Sequence, residues 1–461
     1  MNNSTLTISI LIITVCQQNG ACLRRATSTS DPPYCTLVIP TASRPSSGPD
    51  GCSAAPGAAV SGRNVLHRIG DALVSNQERL RRIQLLMVGF YALAGTIVVF
   101  ASSPWSAEFD RCIAVLLWGL WWPVVLVGNL LFGQAWCGLL CPDGALTELA
   151  GRWSRRAKIP RALRWPGWVM LGFAATLLAV HATDATHDAK ASFLILGALS
   201  AGALATGALF GRGRRVWCRY LCPVSILFSM LARCAPIHFR IDRTAWDAAA
   251  RRPATRVECP VLIDIRSMTG ATGCHMCGRC SGHRNAVVLA ARPPWDETLR
   301  LTSASPLRRE VAVLTFGLFG LVPATLFASG SWEIFVPELF WRLAIAMLLG
   351  ILIVVAARLS NVGALRMSQT LVPLAGLGSA ALLLKTSFIG IVGSTWFGDS
   401  VSTAAYILIA CGLALSGTLA ERMLARMRAH ARWRYRIALS IWFAVAAAGA
   451  GTFAYGIAVL P

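Results

Sequence analysis

Apolar residues recur in nine long blocks separated by polar, mostly basic connections. The blocks fall at 83–101, 112–132, 168–182, 191–210, 310–329, 335–357, 371–393, 402–420 and 437–460. A helix needs about 20 apolar residues, rising 1.5 Å each, to cross a bilayer. The pattern therefore predicts about nine transmembrane helices. The block at 168–182 is the shortest.

The connections test that count. With the flank before the first block placed inside, the inside segments hold 36 of the 43 Lys and Arg residues. The short outer loops hold only Arg111 and Lys190, with Glu108, Asp110, Asp184, Asp188, Glu333 and Asp399 as their acids. Nine alternating spans satisfy the positive-inside rule throughout, and one span too many or too few would invert every later loop. The N-terminus is expected in the cytoplasm and the C-terminus outside. Composition agrees: 55% of residues are hydrophobic and 14% charged, against about 25% charged in soluble domains. The formal charge of +22 reflects these loops, and no recognition motif suggests nucleic acid.

Residues 1–62 lack a helical period and read as a disordered tail. The apolar run 6–15 has no basic residue before it, unlike a signal peptide. Cys16, Cys22, Cys35 and Cys52 have no useful spacing there. The remaining chain divides into a four-helix membrane module (63–235), a cytoplasmic segment (236–309) and a five-helix membrane module (310–461).

One motif occurs twice. Leu131-Phe132-Gly133 precedes Trp136-Cys137-x3-Cys141-Pro142, and Leu209-Phe210-Gly211 precedes Trp217-Cys218-x3-Cys222-Pro223. Each copy follows a span running from outside to inside, which describes a parallel repeat about the membrane normal. Spacing i, i+4 would set both thiols on one helix face. Proline favours the first helical position, so each Cys-Pro should sit at a helix N-terminus, where the dipole stabilises thiolate. Arg214, Arg215 and Arg219 would add to that. The four sulfurs suit a second Fe–S cluster, Cu(I), which prefers soft ligands, or redox-active thiols, and spacing leaves these open.

The segment 236–309 carries Cys259-Pro260 and then Cys274-x2-Cys277-x2-Cys280. In bacterial ferredoxins C-x2-C-x2-C supplies three ligands, while a Cys-Pro from another repeat supplies the fourth. Cys259, Cys274, Cys277 and Cys280 thus make one complete [4Fe–4S] set. Gly273, Gly278 and Gly282 allow a tight backbone with N–H groups aimed at sulfur. Zinc is the rival, though its structural sites usually come as two separated C-x2-C pairs. His275 and His283 read as polar surface residues, and Cys112, Cys234 and Cys411 as packing. Arg342 and Lys385, inside spans, are within snorkelling reach of the outer face. His181 lacks a partner at its depth for haem.

Together these motifs resemble the membrane polyferredoxin family. That group includes the membrane ferredoxin subunit of periplasmic nitrate reductase systems, the nitrous-oxide reductase maturation and electron-donating protein, and the copper-handling cytochrome oxidase assembly protein. The resemblance covers roughly residues 83–309. It implies an all-α polytopic protein of the bacterial inner membrane with a small cytoplasmic ferredoxin-like insertion. Its implied work is relaying electrons between a cytoplasmic donor or the quinone pool and a membrane or periplasmic metalloenzyme. The alternative is reduction or delivery of copper. The protein would be an electron carrier rather than a stand-alone enzyme. The net charge of +11 over 211–309 suits both anionic lipid and an acidic carrier.

Overall fold

The computed structural model describes residues 65–100, 106–155, 157–249, 257–301, 306–327, 331–389, 395–425 and 432–459. The tail 1–62 and its cysteines lie outside the described residues. From Gly62 to Pro461 the chain forms one compact unit.

Among the described residues, all nine apolar blocks are helical. α1 (Val65–Ser75) leads into α2 (Gln77–Phe100). α3 (Phe109–Phe132) follows, with two short helices, α4 (Ala135–Leu139) and α5 (Pro142–Ala150), after its C-terminal end. α6 (Trp168–Ala182) and α7 (Ala189–Phe210) form the next hairpin, again followed by two short helices, α8 (Val216–Tyr220) and α9 (Ser225–Ala232). The polar segment holds β1 (Ile237–Ile241), α10 (Arg243–Ala249) and β2 (Val287–Ala291). Then come α11 (Arg309–Phe327), α12 (Trp332–Ser360), α13 (Ala364–Gln369), α14 (Val372–Ile389), α15 (Thr395–Leu424) and α16 (Arg432–Val459).

Seven of these helices are long and apolar enough to cross a bilayer alone: α2, α3, α7, α11, α12, α15 and α16. In hydrocarbon only a helix satisfies its own backbone groups, so apolar blocks of this length have no competing fold. α6 and the apolar part of α14 are shorter. α14 does not need to meet lipid. Its residues Val372, Leu374, Ala375, Ala380, Ala381 and Leu382 are at most 2% exposed, because α3, α11, α15 and α16 enclose it. The largest core cluster therefore runs from Val125 in α3 through Leu314 and Leu374 to Ile457. Both α3 and α11 open into π-type turns, at Val115–Trp121 and Val313–Leu321. Nothing in the apolar pattern signalled these.

One of the two charges inside spans differs from expectation. Arg342 does not snorkel. It is buried and pairs with Glu338 at 2.5 Å one turn earlier, and its Nη1 reaches the Thr452 carbonyl at 3.4 Å. Local neutralisation replaces escape to water. Lys385 is half-buried and donates to Ser402 Oγ at 3.1 Å on α15.

The polar segment is fastened to the helices by ions. β1 and β2 pair antiparallel, Phe239 opposite Leu289. Arg292 holds Glu297 at 2.6 Å, and Glu297 accepts the Ala271 N–H at 2.7 Å. Arg233 then links Thr272, at 3.1 Å, to Glu310 on α11 and Gln369 on α13. These charges are buried but each has a partner, as burial requires.

Candidate iron–sulfur centres

The two Cys-x3-Cys-Pro copies fold alike in backbone detail. α4 contains Cys137 and stops at Leu140, so Cys141 N–H turns back to the Trp136 carbonyl at 3.0 Å. α8 contains Cys218 and stops at Leu221, and Cys222 N–H returns to Trp217 O at 3.0 Å. Each pair is thus a broken helical turn rather than one continuous face. The copies diverge afterwards. Cys141 caps α5 with Pro142 at its first position, as expected. Cys222-Pro223 instead enters a turn in which Ser225 Oγ donates to the Cys222 carbonyl at 2.8 Å, and α9 starts only at Ser225.

All four cysteines, Cys137, Cys141, Cys218 and Cys222, line one cavity of about 120 Å³. Its walls include Trp118, Trp121, Trp122 and Trp136, with both prolines. Trp121 meets Trp136 edge-on at 4.5 Å, and Trp118 Nε1 donates to Ser192 Oγ at 2.8 Å. Asp143 is the acid here, accepting from Ser200 Oγ at 2.6 Å.

Helix dipole and arginines do not win at these thiols. Burial, then the neighbouring cysteines, push the Cys137 thiol well up, and burial with Asp143 lifts Cys141 to about 11. Cys218 and Cys222 also rise, chiefly through burial. Without metal they stay protonated at neutral pH, unlike reactive thiolates. A cationic cluster would replace those protons.

Cys259, Cys274, Cys277 and Cys280 line one recess, walled by Phe239, Ile265 and Met268. Gly273, Gly278 and Gly282 have φ of 70°, 77° and 71°, the left-handed region glycine enters freely. Met276, between two cysteines, is held there as well, at 51°. Main-chain N–H groups of Val261 and Ile263 donate to Cys259, and that of Met276 to Cys274. Hydrogen bonds of this kind to ligand sulfur are a lever on cluster potential.

The two quartets adjoin. Gly138, one residue past Cys137, lies so close to the polar segment that a Cβ there would sit 1.8 Å from the His275 carbonyl oxygen. Contrary to expectation, His275 is not at the surface. It is 5% exposed, lines both cavities, and its imidazole is pushed down to about 3 by burial and then Arg215. His283 packs edge-on to Trp246 at 5.2 Å.

Arg215, 1% exposed, occupies the junction. Its Nη1 donates to Cys137 O at 2.6 Å and reaches His275 Nδ1 at 3.5 Å. Its backbone N–H donates to Pro260 O at 2.7 Å, and its Nε to Glu148 at 3.2 Å. One side chain and its backbone thus touch three cysteine motifs and lie three residues before Cys218 of the fourth. Glu148 also binds Arg279, which reaches Gln77, and Gln77 donates to Cys277 O at 2.9 Å. Sequence reasoning gave Arg215 only a general electrostatic role and missed Glu148. The available signal was that Asp143 and Glu148 are the only acids in the basic stretch 133–167.

Each quartet is a four-cysteine donor set, the set a [4Fe–4S] cluster takes. Among the described residues no three Cys, His, Asp or Glu side chains converge tightly enough to hold a single metal ion. Cys234 is buried in the main core, while Cys112 and Cys411 are exposed on helix exteriors.

The comparisons with known proteins fall on the same residues. The family described as "4Fe-4S binding domain" matches residues 114–160 and 193–243. These stretches contain the two Cys-x3-Cys-Pro copies and stop short of Cys259. The "Putative electron transport protein YccM" of Escherichia coli K12 is 26% identical over 47% of this chain and 67% of its own. The "Regulatory protein NosR" of Pseudomonas aeruginosa is 26% identical over 46% of this chain and 34% of its own. The match thus spans about two thirds of the first relative and one third of the second. No solved structure matches. Repeat, cysteine sets and relatives support a likeness to the membrane 4Fe–4S polyferredoxin-like family.

Proposed function

We propose that this membrane protein relays single electrons between two iron–sulfur centres built side by side. One [4Fe–4S] cluster would be held by Cys259, Cys274, Cys277 and Cys280, the other by Cys137, Cys141, Cys218 and Cys222. When bound, such clusters supply one-electron couples without proton transfer. The observation that carries the reading is the shared wall. His275 lines both sulfur-lined cavities and Arg215 is anchored to both cysteine systems.

The chain's own residues act around that couple. Tryptophans and buried helices keep water from the paired cysteines. Arg215 and Glu148 offset each other, so the junction stays nearly neutral while a net positive charge from Arg279 lies beside it. The N–H groups at Cys259 and Cys274 would stabilise negative charge gathered on sulfur. The donor would be a cytoplasmic carrier or quinol. The acceptor would be a membrane or periplasmic metalloenzyme, across a bacterial inner membrane with the N-terminus inside.

Iron and sulfide content with EPR of anaerobically purified protein tests this. About eight irons are expected, and Cys137→Ser with Cys218→Ser should remove about four. Copper handling at the paired cysteines would show instead as stoichiometric Cu(I) uptake lost in the same variant, with iron content unchanged.

A further inference from the structure

We infer that the basic recess beside β1 is the docking site for a small acidic one-electron carrier protein, which delivers electrons to the Cys259–Cys280 centre. This rests on the electron-transfer reading above and locates its donor.

The recess has a volume of about 1,070 Å³. Arg240, Arg243, Arg292 and Arg300 line it, with Asp296 as the one carboxylate among its lining residues. Asp296 pairs with Arg300 at 2.9 Å, and Arg292 is engaged by Glu297. Asp242 and Asp247 lie nearby, and Asp247 is occupied by Arg266 at 2.9 Å. Arg240 and Arg243 are exposed at the rim. His238, in the wall, is 7% exposed, and no described residue bonds its Nδ1.

Position gives the recess its meaning. Phe239 and Met268 line both it and the cysteine recess. A redox group seated there is separated from the sulfur site by those two side chains. A free phosphate would match the charge but has no electron to give. A hydride donor would need a flavin between itself and a one-electron centre. An acidic carrier protein supplies one electron, is oxidised by one, and transfers no proton. The electron enters at the cysteine-held site. The charge balance of the whole polar stretch, +11 over 211–309, extends the complementarity and would steer the encounter.

The test uses the full chain in neutral-lipid nanodiscs and stopped-flow mixing with a chemically reduced plant-type ferredoxin as acidic probe. Methyl viologen radical, a small cation, serves as the second reductant. Reduction by ferredoxin should slow at least about tenfold at low salt in Arg240→Glu/Arg243→Glu. The difference should vanish near 1 M salt, where charges are screened within about 3 Å. Arg240→Lys/Arg243→Lys should retain the wild-type rate, and viologen should reduce every variant equally. Ferredoxin rates indifferent to charge reversal, with viologen reduction intact, would overturn the inference alone. So would an effect confined to binding of anionic phospholipid vesicles or inorganic phosphate. A wild-type chain that viologen cannot reduce overturns both the inference and the reading beneath it.

Discussion

Replacing Arg215 by Met removes the charge at the junction while keeping most of its volume. The side chain donates to Cys137 O and Glu148 and faces His275 from a position 1% exposed. Taking one partner from a buried ion pair costs about 3–5 kcal/mol, since the remaining charge stays buried. Glu148 keeps Arg279, so the loss should fall near the lower end, about 3 kcal/mol. Burial raises the Glu148 carboxyl, yet Arg215 and Arg279 together hold it below its ordinary value. Without Arg215 only Arg279 offsets the burial of Glu148, so Glu148→Gln should relieve part of the damage. The assay is a double-mutant cycle of unfolding in detergent, with iron content measured on each variant. Arg215→Met should be clearly destabilised, and the double variant should cost less than the two single changes combined, a coupling of about 1–3 kcal/mol. Strictly additive effects, or a fully stable Arg215→Met, would refute the reasoning.

Two further outcomes follow from local geometry. Gly138→Ala would drive a methyl group into the His275 carbonyl, and backbone cannot yield as a side chain does. A destabilisation of about 3 kcal/mol with faster iron loss is expected, read by iron retention after gel filtration, whereas Gly128→Ala, in open space, should be silent. Burial, then Arg292, lowers His238 to about 4, against about 6.5 when unfolded. The unfolded chain therefore binds the extra proton between those values, and stability should fall as pH drops from about 6.5 to 4. His238→Phe should flatten that slope in thermal unfolding scans, and an unchanged slope would exclude His238 as its source.

Much of this architecture was legible because lipid makes helix obligatory: among the described residues every apolar block is helical, often within a few residues of its expected ends. The structure brings Cys259, Cys274, Cys277 and Cys280 to one recess, with the nearby Gly273, Gly278 and Gly282 in the left-handed backbone region that only glycine enters freely. Long-range pairing was not legible. The burial of His275 depends on Gly138, far away in the chain, and a histidine between two cysteines carries no mark of it. The fate of Arg342 depended on Glu338 and on α16 covering it. The thiols of the paired motifs were expected to be acidic from local dipoles and arginines. Burial by distant tryptophans and helices outweighed both. The π-type turns in α3 and α11 change neither composition nor hydropathy, so the pattern had no means of announcing them.

The central claim is that two four-cysteine sites in one chain each hold an iron–sulfur cubane. Quantitative iron and acid-labile sulfide analysis, joined to EPR of the dithionite-reduced protein, addresses it most directly. The account predicts about eight irons and eight sulfides per chain and the broadened signal of two neighbouring reduced centres. Iron-free protein, or zinc in place of iron, would contradict it.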